Sequence, residues 1–140
     1  MAPQRSLEGR VALITGASRG IGAAIAKRFA SEGADVIIAA RTLESLKEVD
    51  DEIRSTRKGL SATILPLDIK NRDEVSQIGP AVLERYGRLD IFVGNAAILG
   101  ELTPLSQTEA ECWDEVLDVN LTAQWLLIKS LETALLCSPA

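Results

Sequence analysis

Three glycines, Gly16, Gly20 and Gly22, lie between a short apolar run and an amphipathic stretch. A glycine-rich turn that leads from a strand into a helix can bind a phosphate, because N–H groups at a helix N-terminus point towards the anion. A Cβ atom at such positions would hinder the approach of a pyrophosphate. The spacing differs from the common G-x-G-x-x-G fingerprint. The turn predicts a nucleotide site, and a tight turn without a ligand is the alternative.

The second apolar run ends in Ala39-Ala40-Arg41, and this end indicates which nucleotide is bound. A carboxylate there would accept a hydrogen bond from the ribose 2′-hydroxyl of NAD. Arg41 can instead pair with a 2′-phosphate, and Arg19 in the glycine turn offers a second cation. These residues favour NADP over NAD. The alternative for both arginines is a solvated surface charge.

Two further candidate positions follow the third and fourth apolar runs. Asp68 follows the third run, where its carboxylate can accept from an adenine amino group or cap the next helix. The segment Gly94–Ala97 follows the fourth run, and its small residues allow the backbone to approach a ribose. The Asn95 amide can also tie this strand to its neighbour. A bare turn is the alternative for this segment.

Other polar residues carry weaker signals. Asn120 lies within an apolar helical stretch, where asparagine has poor propensity, so it has either a functional or a helix-packing role. Tyr86 is the only tyrosine, and Asp90 rather than lysine lies four residues later, so Tyr86 is predicted to pack. The chain has no histidine, which excludes a histidine-based triad or metal site within it. Cys112 and Cys137 lack metal-ligand or redox spacing, and no metal is predicted.

The elements that must position these residues alternate along the chain. Strands are predicted over Val11–Thr15, Val36–Ala40, Ala62–Leu67 and Leu89–Val93, and helices over Ile21–Ser31, Leu43–Arg57, Asn71–Tyr86 and Thr108–Leu136. Gly33 is predicted to end the first helix, and Thr108 with Glu111 forms a capping box for the last. Asn71 is a candidate cap for the third helix.

This alternation predicts βαβ units and one parallel sheet in the order 3-2-1-4. The apolar runs are continuous, as expected for strands that are covered on both faces. The fold class is therefore α/β, a Rossmann-like doubly wound parallel sheet in a single domain, residues 1–140. Such sheets bind ligands beyond the carboxyl ends of their strands, between the first and fourth strands in this order.

Composition limits the remaining classes. The 140 residues are 46% hydrophobic and carry a net charge of −5, which argues against nucleic acid and anionic membrane partners. No run approaches the roughly 18 apolar residues of a membrane span. The first ten residues lack the apolar core of a signal peptide, and two cysteines suit a reducing compartment. A cytoplasmic protein is expected.

Several motifs in order resemble the short-chain dehydrogenase/reductases of the classical type, over nearly the whole chain. They are Thr15–Gly22, Leu67-Asp68, Arg88-Leu89-Asp90, Asn95-Ala96-Ala97 and Asp118-Val119-Asn120. The resemblance implies hydride transfer between a nicotinamide cofactor and a small carbonyl or alcohol substrate. Ala97 stands where the family usually has glycine, and adds a methyl group near the nicotinamide ribose.

The resemblance also implies roles for individual residues. Those expected around the pyrophosphate and adenosine are Gly16, Ser18, Arg19, Gly20, Ile21 and Gly22, with Arg41 at the 2′-phosphate, Asp68 and Ile69 at the adenine, and Asn95, Ala96 and Ala97 near the ribose. Asn120 would be the helix asparagine of the catalytic tetrad, whose backbone carbonyl holds a water of the proton relay.

The family's catalytic Ser and Tyr-x-x-x-Lys do not occur in suitable positions of residues 1–140. The resemblance therefore implies an N-terminal, cofactor-binding portion, truncated after the fourth strand and the following helix, that is inactive alone. When complete it would form a homodimer or homotetramer through the last helix. The edge of the fourth strand would be unpaired here, and the apolar face of Leu117, Leu121 and Trp125 partly bare.

Two other functions remain open from the sequence. A non-catalytic nucleotide-binding module needs the glycine turn but not the missing Ser, Tyr and Lys. A Rossmann-like methyltransferase would need an acidic residue at the end of the second strand, and Arg41 counts against it.

Overall fold

The computed structural model describes residues 5–56 and 59–139. Within these residues, four parallel strands form one sheet in the order β3-β2-β1-β4, as predicted. The strands are β1 (Val11–Thr15), β2 (Asp35–Ala40), β3 (Thr63–Pro66) and β4 (Ile91–Val93). The α-helices are α1 (Gly20–Ser31), α2 (Leu43–Thr56), α3 (Arg72–Tyr86), α4 (Ala110–Leu117) and α5 (Ala123–Leu136), and a π-helical turn (Asp118–Thr122) joins the last two.

Helices cover both faces of the sheet, because successive side chains of a strand point to opposite faces. In β1, Ile14 packs with the core formed by α1 and α2. Its neighbour Leu13 packs with the core on the other face, which includes Leu127 and Leu131 of α5. All four side chains have a relative exposure of 0%. The predicted doubly wound α/β architecture is confirmed.

The structure confirms most of the predicted element ends. Gly33 has a φ of +96° just after α1, and its N–H donates to the Ala30 carbonyl at 3.0 Å. Asn71 caps α3, because its side chain accepts from the Glu74 N–H at 3.2 Å. Tyr86 packs against the core, as predicted, and its hydroxyl lies 2.6 Å from the Thr63 hydroxyl.

The boundaries of β3 and β4 differ from the predictions. The strand β4 begins at Ile91 rather than at Leu89, whose N–H donates instead to the Ala134 carbonyl of α5 at 2.9 Å. The strand β3 is shorter than predicted, since the Ala62 N–H donates to the Asp50 carboxylate at 2.6 Å. The predicted end of the second helix, Arg57, lies outside the described residues.

The last predicted helix, Thr108–Leu136, begins later than predicted, at Ala110, and its continuous helical stretch contains a π-helical turn between α4 and α5. The capping box is also wrong. Glu109 precedes α4 with no side-chain cap, and the Thr108 hydroxyl lies near Thr103 and the Pro104 carbonyl instead. Periodicity cannot show a π turn, since it adds one residue to a turn of otherwise continuous helix.

Helices α3 and α5 approach very closely at Gly79. Pro80 lacks an N–H, so the Ser76 carbonyl has no partner within α3. The Ser130 hydroxyl of α5 donates to that carbonyl at 3.3 Å and accepts from the Gly79 N–H at 3.0 Å. A Cβ atom at position 79 would overlap the Ser130 carbonyl oxygen. The break in α3 is therefore filled by one side chain of α5.

The outer face of α4 and α5 is apolar and exposed, as predicted. None of the eight residues of α4, all within the described part, is buried. Trp113, Leu121 and Trp125 are 53%, 64% and 58% exposed, and Leu117 and Ile128 are exposed too. Among the described residues, no helix is both long and apolar enough to cross a membrane.

Candidate nucleotide-binding site

A pocket of about 510 Å³ lies beyond the carboxyl ends of the strands. Its lining draws on the glycine turn and on the segments that follow β2, β3 and β4. Eleven of the predicted site residues line it: Gly16, Ser18, Arg19, Gly20, Ile21, Arg41, Asp68, Ile69, Asn95, Ala96 and Ala97. Among described residues, the lining leaves out the predicted Gly22 and Asn120.

The glycine turn needs its glycines for two physical reasons. Gly16 and Gly20 have φ angles of +62° and +57°, which favour glycine. A Cβ atom at Gly16 would lie 2.8 Å from the Asn95 side-chain nitrogen. A Cβ atom at Gly22 would overlap the Gly16 carbonyl oxygen, which explains that glycine although it does not line the pocket. The turn leads directly into the N-terminus of α1, a position where backbone N–H groups can bind a phosphate.

A hydrogen-bonded junction ties β1 to the segment after β4. The Asn95 side-chain amide donates to the carbonyls of Thr15 and Gly16 at 3.1 and 3.2 Å. The buried Thr15 hydroxyl accepts from the N–H groups of Asn95 and Ala96 at 3.1 and 3.2 Å. The predicted tie through Asn95 is confirmed. The Thr15 hydroxyl was missed, since a threonine at a strand end is also ordinary β-sheet composition.

We expect Thr15→Val to destabilise the junction by about 1–2 kcal/mol, because the part-buried Ala96 N–H would lose its acceptor and the Asn95 N–H would keep only the Val93 carbonyl. Thr15→Ser keeps the hydroxyl and should cost less. Chemical unfolding followed by circular dichroism measures both. Equal losses for Val and Ser would show that the methyl group, and not the hydroxyl, stabilises the junction.

The pocket lining carries charges of both signs. Arg19 and Arg41 line it, together with Asp68. Asp68 accepts from the Lys70 N–H at 3.0 Å, whereas the helix cap is provided by Asn71. Of the two alternatives for Asp68, capping of α3 is therefore wrong. Contact with an adenine stays a prediction.

Lys70 and Glu115 also line the pocket, and they were not predicted as site residues from the sequence. The Lys70 ammonium lies 2.9 Å from Glu115 Oε1 and connects the loop after β3 to α4. The hydrogen bond to Glu115 and the charge of that carboxylate raise the pKa of Lys70, and Asp68 adds to the effect. Their separation of 45 residues gives no signal in the sequence.

Asn120 lies in the π-helical turn and is exposed. Its side chain forms two hydrogen bonds to Ile98 in the loop after β4. The Ile98 N–H donates to Asn120 Oδ1 at 2.9 Å, and Asn120 Nδ2 donates to the Ile98 carbonyl at 2.8 Å. The side chain therefore fixes this loop to the helix. A catalytic role of its backbone carbonyl stays a prediction.

Gln124, one turn after Asn120, was also missed. Its Nε2 donates to the Ala96 carbonyl at 3.0 Å, and its buried Oε1 has no partner among the described residues. That oxygen would lie 2.5 Å from a Cβ atom at Gly94. The sequence signal for Gln124 was its spacing of four residues from Asn120 within an otherwise apolar helix. Within the described ranges, no group of three or more Cys, Asp or Glu side chains could hold a metal ion.

The fold and the glycine turn define a class of protein, and comparison with known families agrees. The model of the family described as short chain dehydrogenase matches residues 10–138. The chain belongs to the short-chain dehydrogenase family. The resemblance seen in the motifs is confirmed over nearly the full length of the chain.

Individual relatives are similar over most of this chain. The short chain dehydrogenase/reductase dpfgG of Gibberella zeae is 38% identical over 124 residues, which are 89% of this chain and 45% of that protein. The 3-oxoacyl-[acyl-carrier-protein] reductase FabG of Thermotoga maritima is 39% identical over 117 residues, 82% of this chain and 46% of that protein. The chain thus spans about half the length of these curated relatives.

A solved structure adds information about a ligand. A metagenomic short-chain oxidoreductase in complex with NADP superposes with a TM-score of 0.85 at 40% identity. The match covers 92% of this chain and 57% of that one. The NADP ligand belongs to that protein.

Proposed function

We propose that the chain is the cofactor-binding part of an NADP(H)-dependent oxidoreductase that acts on a small carbonyl or alcohol substrate. The observation that carries the proposal is the pocket in which the glycine turn and Arg41 meet, with no carboxylate at the end of β2. A guanidinium suits a 2′-phosphate, whereas NAD would favour a carboxylate. The relative solved with NADP supports this choice.

Each part of the dinucleotide has residues that suit it. The proposed ligands are Gly16, Ser18, Gly20 and Ile21 for the pyrophosphate, Arg19 and Arg41 for the 2′-phosphate, Asp68 and Ile69 for the adenine, and Asn95, Ala96 and Ala97 for the ribose, whereas Gly22 is proposed to allow the close packing of the glycine turn. The cofactor supplies the hydride chemistry when bound. The chain's own contribution is to orient it through backbone N–H groups, the two arginines and the fixed junction between Thr15 and Asn95.

The proton-transfer residues of the reaction are proposed to lie outside this chain's sequence. Residues 1–140 hold no Tyr-x-x-x-Lys, and the curated relatives are about twice as long. We propose that residues 1–140 alone do not catalyse hydride transfer. Asn120 would contribute its backbone carbonyl to the proton relay, supported by its position in a π turn, since such turns frequently occur at functional sites.

We expect Arg41→Ala to weaken binding of NADPH by about tenfold or more, since a charge-assisted pair with the 2′-phosphate is lost. NADH binding should change much less. Titration of cofactor fluorescence, with the protein expressed from its natural reading frame, gives both dissociation constants. Arg85→Ala, an exposed arginine of α3 outside the pocket, is the control. Equal losses for NADPH and NADH would contradict the assignment of Arg41.

A non-catalytic nucleotide-binding module is the second candidate, and the missing Tyr-x-x-x-Lys favours it. The two functions differ in a hydride-transfer assay. The module would be supported if the protein expressed from its natural reading frame binds NADPH but does not oxidise it with any of a panel of ketones and aldehydes.

We further propose a homodimer or homotetramer in the cytosol for the complete protein. The exposed apolar face of α4 and α5 supports association, because contiguous apolar surface of this kind is typical of interfaces. The two free cysteines, Cys112 and Cys137, are consistent with a reducing compartment.

A further inference from the structure

The proposed nucleotide pocket contains a carboxylate that works against its ligand. Glu115 of α4 lines the same pocket as Arg19 and Arg41, the two arginines proposed to bind the 2′-phosphate. A bare carboxylate there would repel a 2′-phosphate, which carries up to two negative charges. A pocket for NADP therefore requires that the charge of Glu115 be compensated.

Lys70 provides this compensation in the structure. Its ammonium lies 2.9 Å from Glu115 Oε1, and both side chains line the pocket. The charge of Arg41 acts on Lys70 as well, so the pair and the arginine lie in one electrostatic neighbourhood. The pair is 40% and 53% exposed, so it contributes little to the stability of the fold.

We propose that Lys70 determines cofactor affinity by neutralising the charge of Glu115, so that the pocket accepts the 2′-phosphate of NADP(H). This inference rests on the proposed function. Lys70 acts through Glu115 and is not itself a ligand of the phosphate. It is a specificity-determining residue, because compensation of Glu115 matters for NADPH and much less for NADH.

A second ion pair offers a matched control for a purely mechanical role. Arg72 of α3 lies 3.2 Å from Asp118 of the π-helical turn. Like Lys70 and Glu115, these residues hold the region of α4 against the segment after β3. Among the described residues, the pocket lining includes neither of them. If the pairs serve only to hold α4 in place, loss of either one should affect the cofactor equally.

The test measures dissociation constants for NADPH and NADH with the protein expressed from its natural reading frame. We expect Lys70→Gln to weaken NADPH binding roughly three- to tenfold, with a smaller effect on NADH. Glu115→Gln should leave NADPH binding unchanged or tighter. The double variant should return to within about twofold of the wild type, and Arg72→Gln should match the wild type.

Three results would overturn the inference. A double variant as weak as Lys70→Gln would make Lys70 a direct ligand, and an equal loss in Arg72→Gln would make the pairs mechanical. A wild-type protein that does not bind NADPH would overturn the proposed function and this inference together. Normal wild-type binding with an unrecovered double variant would overturn the inference alone.

Discussion

Replacing Gly79 with alanine should destabilise the protein by roughly 2–3 kcal/mol, although alanine is the better helix former. The reason is the contact between α3 and α5, where the new Cβ atom would overlap the Ser130 carbonyl oxygen. Backbone on both sides has to move, because neither partner is a flexible side chain. Denaturant unfolding followed by far-ultraviolet circular dichroism measures the loss.

The control for Gly79→Ala lies two residues along the same helix. Ala81 is exposed, so Ala81→Gly removes no contact and should cost only about 1 kcal/mol through helix propensity. Propensity alone would make Gly79→Ala stabilising by a similar amount. A stabilised Gly79→Ala protein would therefore show that α3 and α5 can separate at little cost.

The second large effect is expected at Asp90, whose side chain is 1% exposed. Its carboxylate accepts from the Val11 N–H at 2.8 Å and from the Ser138 hydroxyl at 2.6 Å. Arg10 and Arg88 pair with it at 3.3 and 3.1 Å. We expect Asp90→Asn to cost roughly 3 kcal/mol at pH 7, because the two arginines lose their shared anion.

The cost of Asp90→Asn should also depend on pH. Burial acts to raise the pKa of Asp90, but hydrogen bonds from Ser138, Val11 and Arg88 outweigh it and lower the pKa to about 2. The unfolded chain has a pKa near 3.9, so the stabilisation is present above about pH 4 and is lost as the pH falls towards 2. The gap between wild type and Asp90→Asn should narrow by roughly 1–2 kcal/mol between pH 6 and pH 2.5.

Asp35→Asn is the matched control for Asp90→Asn, since it makes the same change of charge at an exposed position. Its stability should follow that of the wild type at each pH. A constant gap between wild type and Asp90→Asn across this range would mean that the carboxylate is not held ionised by its partners.

The sheet was predictable because its signals are local. Each strand is a continuous apolar run, and the glycine after β1 and the cap at Asn71 are marked by residue type. The π-helical turn and the way in which the break at Pro80 is filled could not be predicted from the sequence, because both depend on contacts with other elements. The Ser130 hydroxyl that fills the break lies about 50 residues from Ser76 in sequence.

The candidate site likewise contains residues that could be predicted from the sequence and residues that could not. Residues at strand ends, such as Arg41 and Asp68, could be found because parallel strands deliver their carboxyl ends to one edge. Glu115 reaches the pocket only through the path of α4 over the loop after β3, which carries Lys70. No motif or spacing in the sequence marks that path. The position of the Glu115 carboxylate in the pocket, and its pairing with Lys70, could therefore be found only from the structure.

The chain's two tryptophans, Trp113 and Trp125, both lie on the exposed apolar face of α4 and α5. Intrinsic fluorescence of this protein therefore reports on the solvent at that face and hardly on the core. The emission spectrum becomes a built-in sensor of anything that covers these helices. For the same reason, it is a poor probe of unfolding at Gly79 or Asp90, which backbone circular dichroism follows directly.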